Sequence, residues 1–132
     1  NLPYHSVCTT STHDMTPLRN WWKEDPEKTQ RYYNHVLQRI GEAPDECTAE
    51  IVAQIISNHL KTRSMLTIIP LQDWFAMDDS IKRKDIESER INVPANSTHY
   101  WRYRMHITLE QLLQADNLNN KIVSLIKEAG RK

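Results

Sequence analysis

The sequence lacks several features that mark particular classes of protein. Its 132 residues carry 17 Lys and Arg against 17 Asp and Glu, so the formal net charge is zero. A chain without excess positive charge offers no electrostatic reason to bind nucleic acid or an anionic membrane. No apolar run approaches the ~18 residues of a membrane span, and no basic segment followed by an apolar core marks a signal peptide. We therefore expect neither nucleic acid nor a membrane among the partners.

Cysteine is scarce, and histidine shows no metal-binding pattern. Cys8 and Cys47 are the two cysteines, and their separation matches neither a metal motif nor a redox motif. Free thiols in a reducing compartment are the simplest account, so we expect a cytoplasmic protein. The six histidines include no pair at zinc-ligand spacing with a third ligand nearby. We expect no metal and no cofactor.

The length suits one ordinary domain. There are no internal repeats and no low-complexity segments. The chain begins Asn1-Leu2-Pro3 rather than with Met. From this beginning we expect a processed or excised piece of a longer protein.

The most informative stretch surrounds His13 and Asp14. Residues 7–10 are β-branched or Cys and predict a strand, while Thr16-Pro17 predicts a helix start with Thr16 as N-cap. The His-Asp pair therefore lies where a strand has ended and a helix has not begun, which is where α/β folds place chemistry. On position alone such a pair is more often a turn than a site, because the Asp can cap the helix and the His can be a solvated neighbour.

Downstream, capping residues and apolar periodicity predict mainly helices. Helices are expected over residues 17–23, 26–39, 49–60, 71–77, 108–113 and from 116 to a stop at Gly130. The second helix should bury Val36, Leu37 and Ile40. Residues 78–90 are charged and aperiodic, so we expect an exposed loop there.

A second strand is expected at Met65–Ile69, a short apolar run of the kind that is buried on both faces of a parallel sheet. Strand, helices, strand and helix in this order form a βαβ arrangement. Two parallel strands alone are too few to be stable. The fold class is therefore either a helical domain or part of a larger α/β barrel, in which both loops past the strands would lie on the active face.

Three segments resemble the amylomaltase family of 4-alpha-glucanotransferases, also called disproportionating enzymes. They are Ser11-Thr12-His13-Asp14-Met15 with Leu18 and Trp21-Trp22 after it, Ile69-Pro70-Leu71-Gln72-Asp73, and Glu89-Arg90-Ile91-Asn92-Val93-Pro94 with Trp101-Arg102-Tyr103-Arg104 after it. The resemblance covers nearly the whole chain in the right order. His-Asp-Met looks like the branch that includes the plant cytosolic enzyme.

The resemblance implies that residues 1–132 are the C-terminal portion of an eight-stranded (β/α)8 TIM barrel: the last two βα units and the C-terminal helices. It implies transfer of α-1,4-glucan segments between maltooligosaccharides with retention of configuration. Asp14 matches the family's third catalytic carboxylate, His13 its substrate-binding neighbour, and Asn92 a position that lines the site. The nucleophile and the acid/base lie upstream of Asn1, so we expect the piece to need the remainder of the barrel and to be inactive alone. Glu24, Asp25 and Asp73 fit helix caps, solvated faces or loops better.

Two other interpretations stay open from the residues. One is an HD-type phosphohydrolase, in which His13 and Asp14 would bind metal. The other is a helical interaction module without catalysis. The run from His99 to Met105 interleaves aromatics with arginines, as single-stranded nucleic-acid surfaces do, but no wider basic patch accompanies it.

Overall fold

The computed structural model describes residues 3–131. Asn1 and Leu2, on which the expectation of a processed piece rests, lie outside the described residues, as does Lys132. The regular elements in chain order are β1 (Val7–Thr9), α1 (Leu18–Glu24), α2 (Pro26–His35), α3 (Ala49–Leu60), β2 (Leu66–Ile68), α4 (Leu71–Phe75), a 3₁₀ turn (Glu87–Glu89), α5 (Leu109–Leu113) and α6 (Asp116–Glu128).

The two strands form a parallel pair, which confirms the βαβ arrangement. Val7 lies opposite Leu66, and Thr9 lies opposite Ile68. The carboxyl ends of both strands therefore meet at one edge, and the loops that follow them leave the sheet side by side.

The core is built on α3. Thr48 caps this helix through the backbone N–H of Ile51, as the sequence predicts. Its buried stripe packs with side chains from α1, from the end of α4 and from α6, namely Leu18, Trp22, Ile51, Val52, Ile55, Ile56, Leu60, Phe75, Ala76, Met77 and Leu118. Trp22 is the inward member of the Trp21-Trp22 pair, and its indole N–H donates to the carbonyl of Pro44 at 2.8 Å.

The expectation that β2 is buried on both faces is wrong for this chain. Cys8 and Thr67 face the helices, whereas Leu66 and Ile68 are 48 % and 58 % exposed and Val7 is exposed beside them. The reason is that the helices cover only one side of the two-stranded sheet. The other side is an apolar face without a covering layer among the described residues.

Helix α2 ends earlier than the sequence predicts. Gln38 adopts a left-handed conformation with φ of 55°, and the N–H of Arg39 reaches back to the carbonyl of Tyr33 at 3.1 Å. This closure stops the helix at His35. As a result Leu37 is buried, but Val36 is exposed and Ile40 is 98 % exposed, so their predicted burial is wrong.

The cap of α1 also differs from the prediction. Thr16 makes no capping bond, and its hydroxyl donates instead to Glu24 at 2.7 Å. Asp73 of α4 takes over this role, since its Oδ1 accepts the backbone N–H of Leu18 at 2.9 Å. The start of α1 is thus fixed by a side chain from the other βα unit.

The C-terminal helices follow the sequence prediction. Thr108 and Gln111 form the expected capping box at α5. Helix α6 packs on α3, with Leu118 fully buried and Gly130 in a left-handed conformation after its end. Among residues 3–131, no helix has the length and apolar character that crossing a membrane requires.

Candidate functional site

The loop that carries His13 and Asp14 spans residues 10–17, between β1 and α1. It therefore begins at the carboxyl end of β1, as the sequence predicts. Asp14 and His13 are both about half exposed, with side-chain exposures of 53 % and 54 %. A polar pair in this position is open to solutes from the strand-end edge of the sheet.

Asp73 anchors this loop at both ends. Its Oδ2 accepts the hydroxyls of Thr10 at 2.5 Å and Ser11 at 3.2 Å, while its Oδ1 accepts the N–H of Leu18. The side chain is only 1 % exposed. Burial raises the pKa of this carboxyl, and the three hydrogen bonds oppose that rise. Of the expected places for Asp73, namely a cap, a solvated face or a loop, the cap is confirmed at the start of α1, whereas the solvated face is wrong because the side chain is buried. Its bonds to Thr10 and Ser11 also fix the loop, which the sequence does not predict.

The structure brings the three predicted site residues together. Asn92 donates its side-chain N–H to Oδ1 of Asp14 at 2.6 Å, across 78 positions of sequence. His13 Nε2 lies 3.3 Å from Oδ2 of the same carboxylate. Asn92 Oδ1 accepts the N–H of Val93 at 2.9 Å, which fixes the amide so that its NH₂ group faces Asp14. Asp14 keeps acceptor capacity on both oxygens for further donors, such as hydroxyl groups.

Helix α1 holds the long loop that delivers Asn92. Arg19 donates to the carbonyl of Arg83 at 2.6 Å, and Asn20 donates to Glu87 at 3.0 Å. Both residues are buried in α1, as are Leu18 and Trp22. The helix that begins just after Asp14 therefore sets the position of the segment that ends at Asn92.

Glu89 is a buried acid behind the site. It is 2 % exposed, although the sequence predicts an exposed loop here. Its Oε2 lies 3.6 Å from the guanidinium of Arg19 and has no hydrogen-bond partner within residues 3–131. Burial raises the pKa of Glu89 to about 7, and Arg19 opposes that rise. With His13 and Gln72 it lines a small cavity beneath the loop.

Trp101 completes the exposed surface of the site. Its indole ring lies 5.1 Å from the imidazole of His13, tilted by 50°. The sequence analysis gives this tryptophan no role of its own, although it lies in an aromatic and arginine-rich run. The available signal was its place in the third segment of the family resemblance, downstream of Asn92.

Two tyrosines of that run, Tyr100 and Tyr103, each lie against an arginine of this chain. The guanidinium of Arg102 lies 5.0 Å from the ring centre of Tyr100, and that of Arg83 lies 5.4 Å from Tyr103.

Among residues 3–131, no group of three or more His, Cys, Asp or Glu side chains is arranged to hold a metal ion. The polar groups around Asp14 are suited to bind neutral, hydroxyl-rich molecules.

The comparisons with known proteins agree on one family. A family model described as 4-alpha-glucanotransferase matches residues 1–110. The 4-alpha-glucanotransferase DPE2 of rice (Oryza sativa subsp. japonica) is 39 % identical over 128 residues, which are 97 % of this chain and 14 % of the rice protein. A 4-alpha-glucanotransferase of Chlamydia trachomatis (serovar D) is 31 % identical over 123 residues, which are 91 % of this chain and 22 % of that protein.

A solved structure matches the fold. The amylomaltase of Streptococcus agalactiae, determined in complex with acarbose, superposes with a TM-score of 0.72 at 18 % identity, over 99 % of this chain and 23 % of that one. The chain thus has the fold of one part of an amylomaltase, and it spans less than a quarter of the length of each relative. From the family model and the sequence identities, the chain belongs to the 4-alpha-glucanotransferase family.

Proposed function

We propose that this chain is the C-terminal portion of the catalytic barrel of a 4-alpha-glucanotransferase that transfers α-1,4-glucan segments between maltooligosaccharides with retention of configuration. The observation that carries the proposal is the hydrogen bond between Asn92 and Asp14. It joins the loop after β1 to the long segment that follows α4, at the edge where parallel α/β folds place their active sites. The family membership supplies the reaction class.

In this mechanism Asp14 binds sugar hydroxyls at the reacting subsite. Retention requires a carboxylate nucleophile and a carboxylic acid/base on either side of the glycosidic bond. Hydrogen bonds from a sugar hydroxyl to Asp14 would strengthen as the ring flattens toward an oxocarbenium-like transition state. Asn92 and His13 orient the Asp14 carboxylate and offer further contacts to the sugar.

The nucleophile and the acid/base belong, in this proposal, to earlier strands of the same barrel. The remainder of the barrel is therefore a required partner, and its strands would cover the open face of the sheet at Val7, Leu66 and Ile68. The 132-residue chain alone should be inactive. A cytoplasmic location stays a prediction, which cell fractionation with an antibody against this chain would test.

The test uses a hybrid enzyme, defined as the rice relative with its matched 128-residue segment replaced by this chain. With maltotriose as substrate, the hybrid enzyme should form glucose and longer glucans, and the 132-residue chain should form neither. A hybrid enzyme that folds as the rice enzyme does but makes no products would overturn the assigned activity. Product formation by the isolated chain would overturn its predicted inactivity.

Neither other interpretation gains support. Against the phosphohydrolase, His13 is directed at Asp14, with no third metal-binding group beside them in the part of the chain that the structure describes. Against a purely helical module, the chain shares its fold with one part of an amylomaltase. Binding of acarbose, the compound present in the Streptococcus agalactiae complex, would separate a glucan site from both interpretations.

A further inference from the structure

Trp101 exposes a large aromatic side chain at the edge of the site. Trp101 is 60 % exposed, whereas Trp22 is buried and Trp21 and Trp74 are partly buried against the core. Exposing an indole to water is unfavourable because its faces are apolar. Its ring lies beside the imidazole of His13, the neighbour of Asp14.

The backbone on both sides of Trp101 is held in place. His99 Nε2 bonds to the carbonyl of Ile91 at 3.0 Å, which ties the segment to the residue before Asn92. Beyond Trp101, Arg83 donates to the carbonyl of Arg104 and lies over the ring of Tyr103. Trp101 is therefore presented by an anchored segment rather than by a free loop.

This arrangement matches the two-sided character of a sugar. A glucose ring has hydroxyls around its rim and an apolar C–H surface on each face. Asp14 and Asn92 offer hydrogen bonds for the rim, and an indole beside them offers a flat apolar surface for a face. His13 lies between the two, in contact with both the indole and the carboxylate.

We propose that Trp101 is a sugar-stacking residue, which holds the glucose unit next to the one that Asp14 binds. The inference rests on the proposed function and deepens it, because it names a subsite for a neighbouring unit of the α-1,4-glucan. Stacking on an aromatic face selects for ring shape rather than for particular hydroxyls. Trp101 therefore raises the affinity for glucans long enough to reach this subsite, while Asp14 and Asn92 orient the glucose unit that they bind.

The test measures binding of acarbose, the compound present in the Streptococcus agalactiae complex, to the hybrid enzyme by calorimetry. Trp101→Ala should weaken binding roughly 10-fold, whereas Trp101→Phe, which keeps an aromatic face, should stay within roughly 3-fold of the parent. Tyr4→Ala, an exposed aromatic at the opposite end of the strands, is the matched control and should bind like the parent.

The outcomes separate this inference from the function on which it rests. If the parent binds and Trp101→Ala binds equally well, Trp101 does not stack on the sugar and instead packs against another part of the protein. A Trp101→Phe variant that binds as weakly as Trp101→Ala would also overturn the inference, because an aromatic face would then not be what holds the sugar. If the parent hybrid enzyme does not bind acarbose, the proposed glucan site itself is wrong, and the stacking role falls with it.

Discussion

At the scale of single residues, buried acids position the exposed site. Asp73 satisfies two hydroxyls and one backbone N–H around the loop of residues 10–17. Glu89 and Arg19 form a buried pair between α1 and the segment that leads to Asn92. These contacts decide where Asp14 and Asn92 meet, although neither acid is exposed to a substrate.

Asp73→Ala should destabilise the chain by roughly 3 kcal/mol, because it leaves three donors without an acceptor in a buried place. Urea unfolding monitored by circular dichroism would measure the free energy. Asp45→Ala, which removes an exposed carboxylate, should change it by less than about 0.5 kcal/mol. A loss below about 1 kcal/mol for Asp73→Ala would contradict the anchoring role.

Glu89 should make stability depend on pH. Burial, aided by Asp73 and Asp85, raises its pKa to about 7 from an ordinary value of 4.5, against the opposing effects of Arg19 and Arg83. The folded chain therefore binds more protons than the unfolded chain between these values. The contribution of Glu89 to stability is fully present below its ordinary pKa of 4.5 and is lost as pH rises through its folded-state pKa of about 7.

Glu89→Gln mimics the protonated acid and should remove this dependence. At about pH 4 the variant and the parent should be equally stable, while at about pH 8 the variant should be more stable by up to roughly 3 kcal/mol. Unfolding curves across this range would test it, with Glu42→Gln as an exposed control that keeps the parent's slope. If the free energies of unfolding of Glu89→Gln and of the parent changed with pH by the same amount, the raised pKa of Glu89 would be contradicted.

The sequence predicted the exposed site residues better than the buried ones that position them. His13 and Asp14 stand in a local strand-to-helix pattern, and Asn92 lies within a family-like segment. Asp73, Glu89 and Trp101 also lie in family-like segments, but no local pattern indicates what they contact. Their surroundings are set by partners from distant segments, namely Thr10, Arg19 and His13 respectively, and local periodicity does not contain that information.

At the scale of elements, the predictions succeeded where the determinants are local. Helix α3 has its cap and its apolar stripe within its own residues, and both were predicted. Helix α2 differs because its end depends on Gln38, which is not glycine yet takes a left-handed conformation. Sequence reasoning placed the stop at Gly41 because glycine adopts that conformation most readily.

Gln38→Gly should stabilise the chain by about 0.5–1 kcal/mol. Glycine relieves the strain of the left-handed conformation, and this gain exceeds the cost of the greater entropy that glycine gives the unfolded chain. The Gln38 side chain is exposed, so little packing is lost. Thermal unfolding would measure the change. Gln38→Ala, which keeps a Cβ, should leave the melting temperature nearly unchanged, and a destabilised Gln38→Gly variant would contradict this explanation of the helix end.

At the scale of the whole molecule, the sheet is incomplete. Two short strands with helices on one side leave apolar residues exposed on the other, and a two-stranded sheet is marginally stable at best. The sequence predicted the strands and their parallel pairing but took them as buried on both faces, because an apolar run is typical of a barrel strand whether or not the other strands are present.

Ile68→Thr should therefore act differently in the isolated chain and in the hybrid enzyme. In the isolated chain it should reduce self-association measured by light scattering, since it removes apolar surface from an open sheet face. In the hybrid enzyme it should lower the melting temperature, because the same side chain would be buried in the barrel. Ile40→Thr, at a residue that is 98 % exposed outside the sheet, should change neither quantity. An unchanged melting temperature of the Ile68→Thr hybrid enzyme would contradict the proposal that the barrel covers this face of the sheet.

The measurement that tests the central claim most directly is kcat/KM of Asp14→Asn in the hybrid enzyme with maltotriose. The substitution keeps the size of the side chain but removes its charge and replaces one of its two acceptor oxygens, which would hold sugar hydroxyls in the transition state, by an NH₂ donor. A role at the reacting subsite predicts a loss of roughly 100-fold or more with an unchanged circular dichroism spectrum. A value within roughly 3-fold of the parent hybrid enzyme would contradict that role and leave His13 and Asp14 as a structural turn.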